Sequence, residues 1–203
     1  SADTDLADRI RELEPFTFLS NSDAHSLPRI GREYNIIAME APTFKEVVAA
    51  LRREVGRGVV ANFGLDPKLG KYHRTYCPKC DTIARTEPPA LACPNCGNPE
   101  VIKGVLDRIV EIQDTDVPVH PPHRPPYHYQ VPLEFVPGLG AKGIDRLISR
   151  FGSEMAILHR ASEDEVAEVV GSGPAHNIIL ARDGLLPIEA GGGGQYGRAL
   201  AET

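Results

Sequence analysis

The only four cysteines of this chain are Cys77, Cys80, Cys93 and Cys96, arranged as CPKC, twelve residues, then CPNC. Two Cys-x-x-Cys knuckles are the arrangement a tetrahedral Zn²⁺ needs. Each knuckle turns two thiolates and nearby backbone N–H groups toward one point, and the loop between them delivers the second pair to the same ion. Pro78 and Pro94 stiffen the knuckles, and Gly97 permits the tight turn out. Four cysteines also allow three disulfide pairings, but nothing before them reads as a signal peptide and the spacing is the metal pattern more than the secreted one. With sulfur at all four positions no water can reach the ion, so the site predicts a structural fastener and not a catalyst.

The 203 residues are 41% apolar and 25% charged, a globular composition, and no apolar run is long enough to span a membrane. Reduced thiols at metal spacing suggest a cytoplasmic protein. The net charge of −6 argues against a chain that coats nucleic acid in general, while leaving room for a local contact made by backbone N–H groups.

The pattern predicts an α/β segment over 1–66. Leu6, Ile10 and Leu13 share one helical face ended by Pro15, and Phe16–Leu19 reads as a short buried strand. The polar loop SNSDAHS follows, then a strand at Tyr34–Met39, a helix with a Thr43/Glu46 capping box, and a possible strand at Val59–Asn62. This segment is too short to bury a whole sheet, so it predicts the end of a larger domain. Residues 67–114 hold the cysteine lobe, with 101–112 either strand or helix. Residues 115–130 are proline-rich and predict a semi-rigid linker in which His120, His123 and His128 are incidental.

Residues 131–182 carry the other legible motif. Phe135 to Ile148 (FVPGLGAKGIDRLI) has the form of a helix-hairpin-helix, in which a Gly-x-Gly turn at Gly138 and Gly140 leaves bare N–H groups and the positive helix end facing a phosphate. Lys142 and Arg146 stand ready to add charge. A degenerate second copy at Gly171 and Gly173, with Ser172 between the glycines, predicts a tandem module that grips the two strands of duplex DNA. A helical packing module using the same turns for closeness is the bland alternative. Residues 183–203, with GGGGQYGR, lack the Lys-Ser/Thr of a phosphate loop and predict a flexible glycine-rich tail. No small-molecule cofactor is evident.

The block SNSDAHS…IGRE resembles the last metal-binding motif of PHP phosphoesterases. With GKYHRTYCPKC, CPNCG, GVLDRIVEI, RPPYHYQVPL and GGGGQYG, the chain resembles the C-terminal part of the endonuclease Q family over essentially its whole length. The resemblance implies the end of a distorted (β/α)₇ PHP barrel, a Cys₄ zinc ribbon and a tandem helix-hairpin-helix. It implies a DNA repair endonuclease that nicks 5′ to deaminated bases and abasic sites, with Asp23 and His25 as catalytic ligands of divalent metal ions, and it hints that Tyr196 and Arg198 approach DNA. PHP sites also use an N-terminal His-x-His that is absent here, since only His25 precedes His73. The chain is therefore expected to be part of a longer parent, with an incomplete PHP metal cluster and no activity alone. A non-catalytic zinc-ribbon and helix-hairpin-helix adaptor that binds DNA or protein is the competing expectation.

Overall fold

The computed structural model describes residues 2–201, so Ser1, in the first expected domain, and 202–203, in the expected tail, lie outside it. The chain opens on α1 (Thr4–Ala7), whose Leu6 N–H is capped by the Asp3 carboxylate, and then makes a separate 3₁₀ turn at Arg11–Leu13. The single helix expected through Leu6, Ile10 and Leu13 does not form. Ile10 is extended between the two turns, and Asp8 points inward to a buried guanidinium.

Phe16–Leu19 is no strand, and Phe16 is 57% exposed. Side chains take its backbone groups instead. Asn35 and Asn62 face each other across β1 (Tyr34–Ala38) and β2 (Gly58–Leu65), which run antiparallel. The Asn35 amide donates to the Ser20 carbonyl, the Asn62 amide donates to the Phe18 carbonyl, and the Ser20 N–H donates back to Asn35. Side chains stand off the plane of a sheet, so residues 18–20 lie over the sheet and not in it. Between the strands, α2 (Phe44–Leu51) is capped by Thr43 as expected. The box is only half made, because the Glu46 carboxylate turns to Arg57 and the Glu40 N–H.

After β2 the chain enters the cysteine lobe, with the short pair β3 (Tyr76–Cys77) and β4 (Thr82–Ile83), then α3 (Val105–Ile112). The ambiguous stretch at 101–112 is thus a helix, preceded by an Ile102 bridge to Tyr76. Next comes β5 (Tyr127–Gln130), which pairs parallel with β2 and completes a three-stranded sheet in the order β1-β2-β5. The cysteine lobe and α3 are therefore inserted in the crossover between two parallel neighbours.

That pairing corrects the linker expectation for 115–130: the segment is a packed strap. Arg124 forms an ion pair with Asp8 at 2.8 Å, the two side chains 2% and 1% exposed. Its guanidinium also donates to the carbonyls of Phe16 and Leu13 and lies 3.4 Å from the Phe18 ring centroid. The histidines are structural as well. His120 Nδ1 is 2.7 Å from Asp8, His123 reaches the Glu14 carbonyl, and His128 stacks on Phe63.

The remaining helices are α4 (Ala141–Phe151), α5 (Glu154–His159), α6 (Glu163–Val170) and α7 (Ser172–Arg182), and α6 starts on a complete capping box of Ser162 and Glu165. Leu133, Leu147, Ile157, Val166 and Ile178 have no exposed surface, and their cluster continues into Leu65, Leu69 and Ala199. The helices share one core with the end of β2 and with the last strand pair, β6 (Ile188–Glu189) and β7 (Arg198–Ala199). Between those strands the glycine run is docked, not flexible. The Gly191 N–H donates to Lys68, the Gly197 N–H to Leu69, and Arg74 donates to Gly191. A Cβ at Gly197 would stand 2.3 Å from the Lys68 carbonyl oxygen, so glycine is required there for close approach. No helix among the described residues is long and apolar enough to cross a membrane.

Removing one partner of a buried, hydrogen-bonded ion pair leaves the other charge uncompensated. Arg124→Ala is therefore expected to destabilise the chain by about 3–5 kcal/mol. Urea unfolding checks this. A loss under ~1 kcal/mol, typical of an exposed pair, would show that the strap does not hold the N-terminal segment.

Candidate metal centre and nucleic-acid interface

The β3–β4 hairpin carries the first knuckle, with Asp81 at its turn in the left-handed region. The second closes through the Gly97 N–H on Cys93 and the Cys93 N–H on Asn98. All four sulfurs lie within 4.8 Å of one another, and none is in a disulfide. The Cys77–Cys96 and Cys80–Cys93 sulfurs are 3.8 and 3.4 Å apart. Four sulfurs at about 2.3 Å from a tetrahedral ion would stand about 3.8 Å apart, so the donor set fits a closed site. The second knuckle supports the sulfurs of the first: Asn98 donates to Cys77 and Asn95 to Cys80, each at 3.6 Å.

Burial pushes the Cys77 thiol up, but donors from the Cys80 and Lys79 backbone and the Asn98 amide outweigh it and bring the thiol down to about 6. The Asn98 N–H favours the Cys96 thiolate, yet the sulfurs of Cys80, Cys93 and Cys77 push it up to about 11. Four thiolates cannot all ionise at such distances without a cation among them. The knuckle region is tied to α3 by Asp107, which is fully buried. Its carboxylate accepts from the Thr75 N–H at 2.9 Å, the Ala90 N–H at 2.7 Å and Arg74 Nε at 3.2 Å. Burial raises its pKa, and those donors more than reverse the effect.

Asp23 and His25 lie in an exposed loop, Asp23 with φ 45°, and no strand leads into it. His25 Nδ1 donates to the Asp23 carbonyl at 2.8 Å. That bond leaves Nε2 with its lone pair available to a ligand, as second-shell carbonyls do for metal-binding imidazoles. Among the described residues no third ligand-type side chain joins the pair, and the cysteines form the one cluster that does.

Four helices, α1, α2, α5 and α6, are capped by the side chains of Asp3, Thr43, Ser153 and Ser162. The other three, α3, α4 and α7, have glycine N-caps and no side-chain cap. Gly138 has φ +79°, which requires glycine, whereas Gly140 has an ordinary backbone and open space where a Cβ would be. Gly138, Gly140, Lys142 and Arg146 line a shallow concavity of about 380 Å³. The second turn is shorter than its expected copy. Gly171 is the cap itself, and Gly173 already lies within α7. In the docked tail, Arg198 is paired to Glu189 at 2.9 Å, while Tyr196 receives a hydrogen bond from Arg29.

A family model described as PHP-associated matches residues 3–59. The uncharacterised protein YqxK of Bacillus subtilis is 48% identical over 98% of this chain and 50% of its own length. An uncharacterised protein of Methanocaldococcus jannaschii is 40% identical over 98% of this chain and 27% of its own. The crystal structure of the lesion-specific endonuclease PfuEndoQ from Pyrococcus furiosus matches with a TM-score of 0.79 and 38% identity, over 99% of this chain and 53% of that one. Endonuclease Q in complex with a 27-mer duplex substrate bearing an abasic lesion at the active site matches with a TM-score of 0.82 and 36% identity, over 99% and 54%. This chain is endonuclease Q-like.

The endonuclease Q-like chain spans about half the length of YqxK and of the two structures. Sequence reasoning found its cysteines and glycine turns but missed Asp107, whose buried side chain joins the metal lobe to α3. The string VLDRIVEI carries Asp107, Arg108 and Glu111, and nothing in it marks Asp107 as the buried one. In a lobe this small, metal affinity is folding free energy. Cys93→Ser is expected to lose the ion and unfold the lobe while α4 to α7 keep their structure. Elemental analysis should find one metal ion per chain in the parent sequence. Chelator-free protein with no bound metal and four freely titrating thiols would overturn the closed site.

Proposed function

We propose that this chain is part of a metal-dependent DNA repair endonuclease that nicks the phosphodiester 5′ to deaminated bases or abasic sites. Residues 1–66 then belong to a PHP domain of (β/α)₇ type, the cysteines of 67–114 hold a structural Zn²⁺, and 131–182 act as a tandem helix-hairpin-helix on duplex DNA. The observation that carries the reading is the uncapped amino end of α4, open between Gly140, Lys142 and Arg146. Unsatisfied N–H groups, the positive end of the helix dipole and two cations together suit a phosphate. Such contacts position a duplex without reading its sequence.

Asp23 and the free Nε2 of His25 supply one hard oxygen and one borderline nitrogen, a donor set suited to divalent ions. Bound there with ligands from the rest of the parent, such ions polarise a phosphodiester and acidify water. The residues of this chain would orient the strand and hold the lesion near that loop. A deaminated or abasic nucleotide is cheap to unstack, which suits eversion. One observation favours the non-catalytic adaptor: among the described residues, Asp23 and His25 have no third ligand. Asp23→Asn in the longer parent separates the two readings, because it should abolish nicking without weakening DNA binding only if the pair serves catalysis.

Gly140→Asp tests the grip. An aspartate caps a helix about as well as glycine or a few tenths of a kcal/mol better, so stability should hold, while its carboxylate occupies the amide end and repels phosphate. Anisotropy with a labelled duplex in low salt should show binding by the parent sequence and none by the variant. Unchanged binding would move the grip away from this turn.

A further inference from the structure

Tyr196, at the end of the docked glycine run, has three cations around it. Arg29 Nη1 donates to its hydroxyl at 3.2 Å, and Lys71 Nζ lies 4.5 Å from its ring centroid. Arg32 lies near the same phenol, its hydrogen bonds going to Glu33. The edge of Phe135 packs against the ring, with centroids 5.4 Å apart. Arg32 has one ion pair, to Glu33, and its Nη1 is buried without a partner. Neither Arg29 nor Lys71 is in an ion pair among the described residues. Both are only half-buried, as is Tyr196.

Like charges held this close in a partly desolvated place repel, and the repulsion grows as water is excluded. A phenol ring answers them weakly, with about 0.5–1 kcal/mol for an exposed cation–π contact. Arg29 and Lys71 lack an anion, and Glu33 answers only Arg32. The position of the cluster in the chain indicates which anion. Arg29 ends the 3₁₀ turn that starts after Ser26, directly downstream of Asp23 and His25, and Phe135 ends the turn that leads into the Gly138–Gly140 hairpin. Tyr196 therefore bridges the candidate cleavage loop and the candidate phosphate turn.

We propose that Arg29, Arg32 and Lys71, gathered on Tyr196, form a clamp for one backbone phosphate of duplex DNA between those two sites. The clamp rests on the DNA-binding reading above. Tyr196 is its positioning residue: the hydroxyl fixes Arg29, and the ring faces the Lys71 ammonium. The glycines around it serve to place that ring. Gly193 abuts Tyr76, and Gly197 abuts Lys68, so the loop that carries Lys71 and the loop that carries Tyr196 can be locked together.

The test is anisotropy of a fluorescein-labelled abasic duplex with the 203-residue chain, titrated over a range of KCl. Arg29→Ala/Lys71→Ala is expected to reduce the slope of log K against log salt by about 1, the signature of one lost phosphate contact. The charge-keeping pair Arg29→Lys/Lys71→Arg should retain the slope, and Lys45→Ala/Arg52→Ala, on exposed α2 positions, should leave it unchanged. Lys71→Gln removes the ammonium charge and gives the same direction of change if the double variant proves unstable by thermal melting. An equal loss in the α2 control would reduce the clamp to long-range charge and overturn it. If Gly140→Asp abolishes binding while the clamp variants keep the full slope, the clamp falls and the DNA reading stands. If the parent sequence binds no duplex in low salt, both fall.

Discussion

The buried pair of Arg124 and Asp8 decides how the N-terminal third meets the rest. Taking both charges out of water costs several kcal/mol per ion, and only dense hydrogen bonding offsets it. Arg124 supplies that density, with Asp8 gripped through Nε and Nη2, the carbonyls of Phe16 and Leu13 accepting, and the Phe18 ring beneath the guanidinium. The prolines on either side limit the strap to extended conformations, so it reaches the N-terminal segment and continues directly into β5. Without this contact, residues 8–18 would have little regular structure to hold them. The loop bearing Asp23 and His25 hangs from that segment.

A second constraint fixes the cysteine lobe. Forty-odd residues cannot bury enough surface to fold alone, which is the regime where metals become structural. Metal closure would order the lobe internally but say nothing of its orientation. Orientation comes from the Asp107 carboxylate, which takes N–H groups from both sides of the lobe at Thr75 and Ala90. It comes also from the glycine run, which lies against Lys68, Leu69 and Arg74. The lobe is thus seated between the crossover helix and the end of the chain.

What the sequence shows and hides follows from the range of each interaction. The cysteine site was legible because its ligands are close in sequence and their spacing has few other uses. The helices from 141 to 182 were legible because caps and periodicity are local. The resemblance supplied the endonuclease Q-like assignment, which no spacing could give. By contrast, β5 pairs Tyr127 with Asn62, and nothing local in a proline-rich stretch announces a parallel partner so distant. The glycine run failed for a different reason: composition does not distinguish glycine that permits motion from glycine that permits contact. At Phe16–Leu19 an apolar run implied a strand, but Arg124 and Asn62 take the Phe16 and Phe18 carbonyls through their side chains.

On the proposed DNA-binding reading, the charge of the chain narrows how it would meet a duplex. A net −6 opposes the duplex at long range, so attraction must come from places where donors converge at short range. The uncapped end of α4 is one such place, because its partial charge belongs to the backbone and adds nothing to the net count. Arg29 and Lys71 on Tyr196 are another, without an ion pair among the described residues although the chain is rich in carboxylates. Contacts of this kind are few and strongly distance-dependent. They favour a duplex already seated in one register over a duplex sliding past, and phosphate contacts carry no base information to alter that preference. In the proposed enzyme, selectivity for a lesion would then arise where the strand deforms, beside the loop of Asp23 and His25, and the grip elsewhere would need only to hold the flanking backbone still.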